Sequence, residues 1–78
     1  MSRYADAVAE AKKLRATNTI PSAKFKDGER VVLDNHNSTP AVVLGSTFNN
    51  HVWMRSYTVS PENSDSILEI MEWGISSL

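Results

Sequence analysis

Glu29-Arg30-Val31-Val32-Leu33-Asp34, Asn35-His36-Asn37-Ser38 and Thr39-Pro40-Ala41-Val42-Val43-Leu44-Gly45 follow one another without a break. Two β-branched runs flank a polar loop, which is the pattern of two strands joined by a turn. Pro40 stands at the mouth of the second run, where a missing backbone donor is tolerated, and Gly45 marks a bulge or bend at its far end. Upstream, Phe25 and the Lys26-Asp27-Gly28 turn lead into the first strand. Downstream, Phe48-Asn49-Asn50-His51 reads as a hairpin turn, because paired Asn tolerates positive φ. Val52-Trp53-Met54-Arg55-Ser56-Tyr57-Thr58-Val59 is the longest strand, with Val52 and Met54 on one face and Trp53, Arg55 and Tyr57 on the other; either face suits a core. After the polar loop Ser60 to Asp65, Ile67-Leu68-Glu69-Ile70 forms a fourth strand. Met71-Glu72-Trp73-Gly74-Ile75 turns the chain into a short closing segment. Leu68, Met71 and Ile75 also fall at offsets 0, 3 and 7, so a helix over 67–75 is the rival reading.

The expectation is therefore a mainly β protein, a small antiparallel barrel of four or five strands, four of them over 29–34, 41–46, 52–59 and 67–70. One long helix precedes it. Over 3–16, Ala recurs at 5, 7, 9, 11 and 16, Ser2 stands where it can cap, and Tyr4, Val8, Ala11 and Leu14 form a narrow apolar stripe with Ala7 beside it. The helix is expected to stop near Thr17-Asn18-Thr19-Ile20-Pro21, where the residue before proline leaves the helical region. The organisation reads as 1–20, helix and linker, and 21–78, barrel, in one compact domain.

Seventy-eight residues without Cys allow one small core, no disulfide and no thiolate chemistry, which suits a reducing cytoplasm. No apolar run approaches the ~20 residues that span a bilayer. The opening Met1-Ser2-Arg3-Tyr4-Ala5-Asp6 lacks the apolar stretch of a signal peptide, so a cytoplasmic location is expected. Charge is split along the chain. Residues 1–17 set Arg3, Lys12, Lys13 and Arg15 against Asp6 and Glu10, whereas residues 35–78 hold only Arg55 against Glu62, Asp65, Glu69 and Glu72. An acidic C-terminal half offers no basic surface to phosphates.

Phe25-x-x-Gly28-x-Arg30-Val31, Ala41-Val42-Val43-Leu44-Gly45, Tyr57-x-Val59 and Ile67-Leu68-Glu69-Ile70 ending at Ile75 resemble, in their spacing over residues 24–78, the small SH3-like barrels. The resemblance implies a turn glycine before the first strand and a single 3₁₀-like turn near the end. It implies no activity, because many unrelated functions share that fold. Within it, the chain distantly resembles type II dihydrofolate reductase, which assembles one pore from four such protomers. That family lines its pore with a Val-Gln-Ile-Tyr run. Here Leu68 and Ile70 stand at the Gln and Tyr positions, and two aliphatics do not replace a hydrogen-bonding edge.

Other chemistry fares no better. Asp34-x-His36 and the distant His51 do not make a metal set. No G-x-S-x-G elbow accompanies the serines, and Gly45-Ser46-Thr47 is no phosphate loop. No catalytic residue, metal or cofactor is expected. The Ala-Leu-Tyr-Asp-Tyr signature of proline-rich peptide binders is absent as well. Trp53, Trp73, Phe48 and Tyr57 are the side chains suited to anchoring a partner, with Trp73, next to Gly74, expected to be the exposed tryptophan. The reading is a non-enzymatic protein-binding module, monomeric or homodimeric. Its size and its Asn/Ser-rich loops resemble a phage or mobile-element accessory protein that inhibits or redirects a host protein. The alternative is a nucleic-acid-binding barrel using Lys12, Lys13 and Arg15 on the helix as a basic face.

Overall fold

The structure, a computed structural model, describes residues 3–78; the proposed cap Ser2 lies outside them. One helix is followed by five antiparallel strands in a single sheet. The helix α1 is Arg3–Ala16. The strands are β1 Arg30–Leu33, β2 Thr39–Asn49, β3 Met54–Pro61, β4 Leu68–Met71 and β5 Ile75–Ser77, in the order β4-β3-β2-β1-β5.

Local chemistry sets each boundary. Asn18, at φ 52°, ends α1: its N–H donates to the Arg15 carbonyl at 3.0 Å, and the Thr19 N–H donates to the Leu14 carbonyl at 2.8 Å. This pair of bonds is a Schellman cap, which favours a residue at ease in the left-handed region. Gly28 takes φ 86° in the turn before β1, and its N–H reaches the Val43 carbonyl at 2.7 Å. The β1–β2 loop closes on Asn37 and Ser38, both at positive φ, with the Thr39 N–H donating to the His36 carbonyl at 3.2 Å. Two successive positive φ values are the requirement of a type I′ turn.

β2 is longer than its sequence pattern showed. It pairs with β1 through Thr39 to Val42 and with β3 from Ala41 to Asn49. Between the Val43–Val59 and Gly45–Thr58 pairs Leu44 is the extra residue, 48% exposed. The bulge therefore falls where Gly45 foretold it and turns an apolar side chain out of the core. The hairpin turn is also displaced: Phe48 and Asn49 belong to β2, and Val52 and Trp53 belong to the turn, not to β3. Asn49 causes the shift, since its Oδ1 accepts from the His51 N–H at 2.8 Å and so organises the turn after itself.

The rival helix over 67–75 is absent; that segment is β4, the 3₁₀ turn Glu72–Gly74, and β5. β4 pairs with β3 and β5 with β1, so the two are the sheet's edges and the sheet is not closed. The 3₁₀ turn spans the gap between them in place of a ladder. It is fastened by the Asp34 N–H donating to the Gly74 carbonyl at 3.0 Å. The core lies against β1, β2, β3 and β5: Phe25, Val31, Leu33, Ala41, Val43, Tyr57, Val59 and Ile75. Burying these side chains, at about 1.5–3 kcal/mol for each large one, is the main stabilising term.

Candidate functional site

α1 lies across the 3₁₀ turn and touches the rest of the chain along a narrow ridge. Ala11 is its buried residue; Ala7, Val8 and Leu14 are half-buried and Tyr4 is 56% exposed. Small alanines let the helix approach closely at its middle and leave hollows on either flank.

One flank is an apolar groove of about 380 Å³. Its helical wall is Tyr4, Val8, Ala11, Lys12 and Arg15, and its opposite wall is Val52 and Trp53 of the turn, Met54, Met71 and Trp73. Tyr4 meets Trp73 edge to face at 5.4 Å, closing one end. Trp53 stands against Phe48 at 5.2 Å and 87°. Its Nε1–H donates to the Thr19 carbonyl at 2.8 Å. The Trp53 backbone has φ 58°. For a bulky side chain this region costs about 1–2 kcal/mol and persists because surrounding contacts over-determine it. The ring contact and the Thr19 bond provide that constraint, and they set the indole at the groove wall.

The other flank is a larger and more polar hollow, lined among others by Asp6, Glu10, Arg55 and Glu72. Arg55 donates to the Pro21 carbonyl at 3.0 Å and lies 5.7 Å from the Phe48 ring centre. With Trp53 on Thr19 it holds the linker against the sheet. At the helix start, Arg3 pairs with the Asp34 carboxylate and donates to the Ile75 carbonyl at 3.2 Å. Ser76 Oγ donates to the same carboxylate at 2.6 Å. The Ser76 hydroxyl and the Arg3 guanidinium hold the Asp34 carboxyl below its ordinary range against an opposing desolvation.

The residues singled out from sequence divide three ways. Trp53, Trp73, Lys12 and Arg15 meet at the groove, and Phe48 backs Trp53. Lys13 is exposed and does not line the groove. Tyr57 is not a surface anchor: it is fully buried, edge to face with Phe25 at 5.4 Å. Its hydroxyl donates to Glu72 Oε2 at 2.5 Å and accepts from the Lys24 N–H at 2.9 Å. Burial first, and the Glu72 carboxylate second, push the phenol up to about 12. Trp73 differs from its expectation too, being half-buried against Tyr4 instead of standing free. Met54, Met71 and Val52 are groove residues that the sequence reading did not select. The signal was present in Met54 and Val52 flanking Trp53, but only the Ser56–Met71 register brings Met71 beside them.

His36 and His51 sit in exposed turns at opposite ends of β2. Among the described residues no group of three or more His, Cys, Asp or Glu is placed to hold a metal. No helix among them is long and apolar enough to cross a membrane. Comparison with protein-family models, curated proteins and solved structures returned no match.

Proposed function

We propose that the protein is a non-enzymatic binding module that takes part of a partner protein into the groove between α1 and the sheet. The observation that carries this reading is the composition of the groove: two tryptophans, two methionines and Val52 converge from separate elements on one hollow that the described residues do not fill. Tryptophan supplies hot-spot area, and methionine adapts to varied partners. The strand order, with a 3₁₀ turn before the last strand, supports reading the sheet as an SH3-like barrel opened between β4 and β5, a scaffold on which α1 adds the second wall.

The test compares partner capture by the wild type and by Val52→Glu. Val52 is 48% exposed in a turn, so the change alters the groove without removing core. A partner held by the wild type and lost to Val52→Glu, at unchanged melting temperature, is the expected result. Retention by the variant would remove the groove from the reading. Binding that falls steeply with salt and is abolished by Lys12→Ala, Lys13→Ala and Arg15→Ala would identify a nucleic-acid arm instead.

A further inference from the structure

The two flanks of α1 differ in charge: one carries cations alone, the other both signs. Lys12 and Arg15 are the charged side chains that line the apolar groove, and no carboxylate lines it. The other hollow is mixed, with Asp6, Glu10 and Glu72 balanced by Arg3, Lys24 and Arg55. Among the described residues the ion pairs are Arg3 with Asp34 and Arg30 with Glu62, so neither groove cation is paired with a carboxylate among them. Lys12 and Arg15 are three positions apart and thus neighbours on the helix surface, with Cβ atoms roughly 5–6 Å apart. Arg15 is steadied over the groove by donating from one guanidinium nitrogen to the His51 carbonyl at 3.3 Å, and a guanidinium carries further donors beyond that one.

We propose that the groove's occupant is an acidic amphipathic peptide segment of the partner: a bulky apolar side chain enters between Trp53 and Trp73, and carboxylates about one helical turn apart meet Lys12 and Arg15. This rests on the groove being a protein-binding site. The size limits the insertion to a short segment, since about 380 Å³ is at the small end of ligand pockets. The chemistry disfavours a nucleic acid. Two cations beside an apolar floor do not make the row of Lys and Arg that tracks a phosphate backbone. Apolar anchors with flanking acids match both the floor and the rim.

The experiment selects binders from a displayed library of random 12-residue peptides on the immobilised full chain, then measures each by the tryptophan emission that Trp53 and Trp73 contribute at the groove. Selected peptides should be rich in Asp and Glu around Leu, Phe or Trp, should fail to bind Val52→Glu, and should weaken roughly tenfold when their acids become Gln. The Lys12→Glu, Arg15→Glu double variant should select Lys- and Arg-rich peptides instead; both sites are exposed, so the fold is retained. Peptides that depend on Val52 but carry no acidic bias would overturn the occupant while leaving the groove as a protein site. Selection that Val52→Glu does not affect, or emission that responds to single-stranded oligothymidylate and to no peptide, would overturn both.

Discussion

At Tyr57 one hydroxyl joins the linker, β3 and the 3₁₀ turn, because it accepts from the Lys24 N–H and donates to Glu72. Tyr57→Phe leaves the ring packed on Phe25 but strands both partners, and is expected to cost about 1–3 kcal/mol in urea unfolding. It also changes the alkaline limb. The unfolded chain ionises this phenol near its ordinary 10.0, whereas the fold holds the proton up to about 12. Its contribution is therefore complete below the ordinary value and is lost as pH rises through the raised one. Stability of the wild type should fall over that interval more steeply than that of Tyr57→Phe; parallel curves would contradict the assignment. Asp34 works in the opposite sense. Its carboxyl is lowered by Ser76 and Arg3, so its contribution is present above the ordinary carboxylate pKa and disappears as pH falls through the lowered value. Asp34→Asn should flatten the acid limb, read as a smaller change in urea midpoint between neutral and acidic pH. Neither role was legible from sequence. Alternation along 52–59 showed that Tyr57 shared a face with Trp53 and Arg55 but not which face turned inward, and Asp34 was read as the end of a strand and as half of a rejected Asp34-x-His36 metal pair, not as the partner of Arg3 and Ser76.

The elements show which sequence signals hold without tertiary context. Gly28 marked a turn because that position takes a positive φ that few residues accept readily, and Gly45 marked the bulge beside Leu44 without needing one; α1 stops where the Asn18 to Pro21 stretch placed it, on Asn18 in the left-handed region. The β2–β3 turn was misplaced by two residues because Asn49 and Asn50 are both suited to a turn, and the choice depends on which side chain captures the next N–H groups. Conformational cost gives this scale its own prediction. Ser38 has φ 53° at the second central position of the type I′ turn, following Asn37 at 57°. Ser38→Gly creates the Asn-Gly pair that such turns prefer, and should raise stability by about 0.5–1 kcal/mol. Thermal unfolding checks it. Ser38→Val, β-branched in the left-handed region, should lower the melting temperature, and a neutral result for both would mean that the loop does not hold this turn in solution.

For the whole molecule, the division into a helical arm and a sheet was legible, and the way they meet was not. The stripe Tyr4, Val8, Ala11 and Leu14 foretold an apolar helix face. The contact centres on Ala11, with hollows on both sides, because alanine alone at the crossing brings the backbones close. The core cluster runs from Phe25 to Ile75 and takes no side chain from α1. A 14-residue helix is marginal alone in water, so α1 depends on its docking for stability, while the sheet does not depend on α1 to the same degree. Removing residues 1–20 should therefore leave a chain that unfolds cooperatively at a lower temperature, having lost the Arg3–Asp34 pair, the Tyr4–Trp73 contact and the groove. In the intact chain, α1 amides should exchange through local opening at lower free energy than those of β2 and β3, whose exchange should approach the global limit. The combination is diagnostic. If 21–78 fails to fold, or if α1 is protected as strongly as β2, the helix is part of the one cooperative unit and both walls of the groove are rigid. If α1 opens first, the groove widens and closes with it, and an occupant that bridges α1 and Trp53 would raise helix protection specifically.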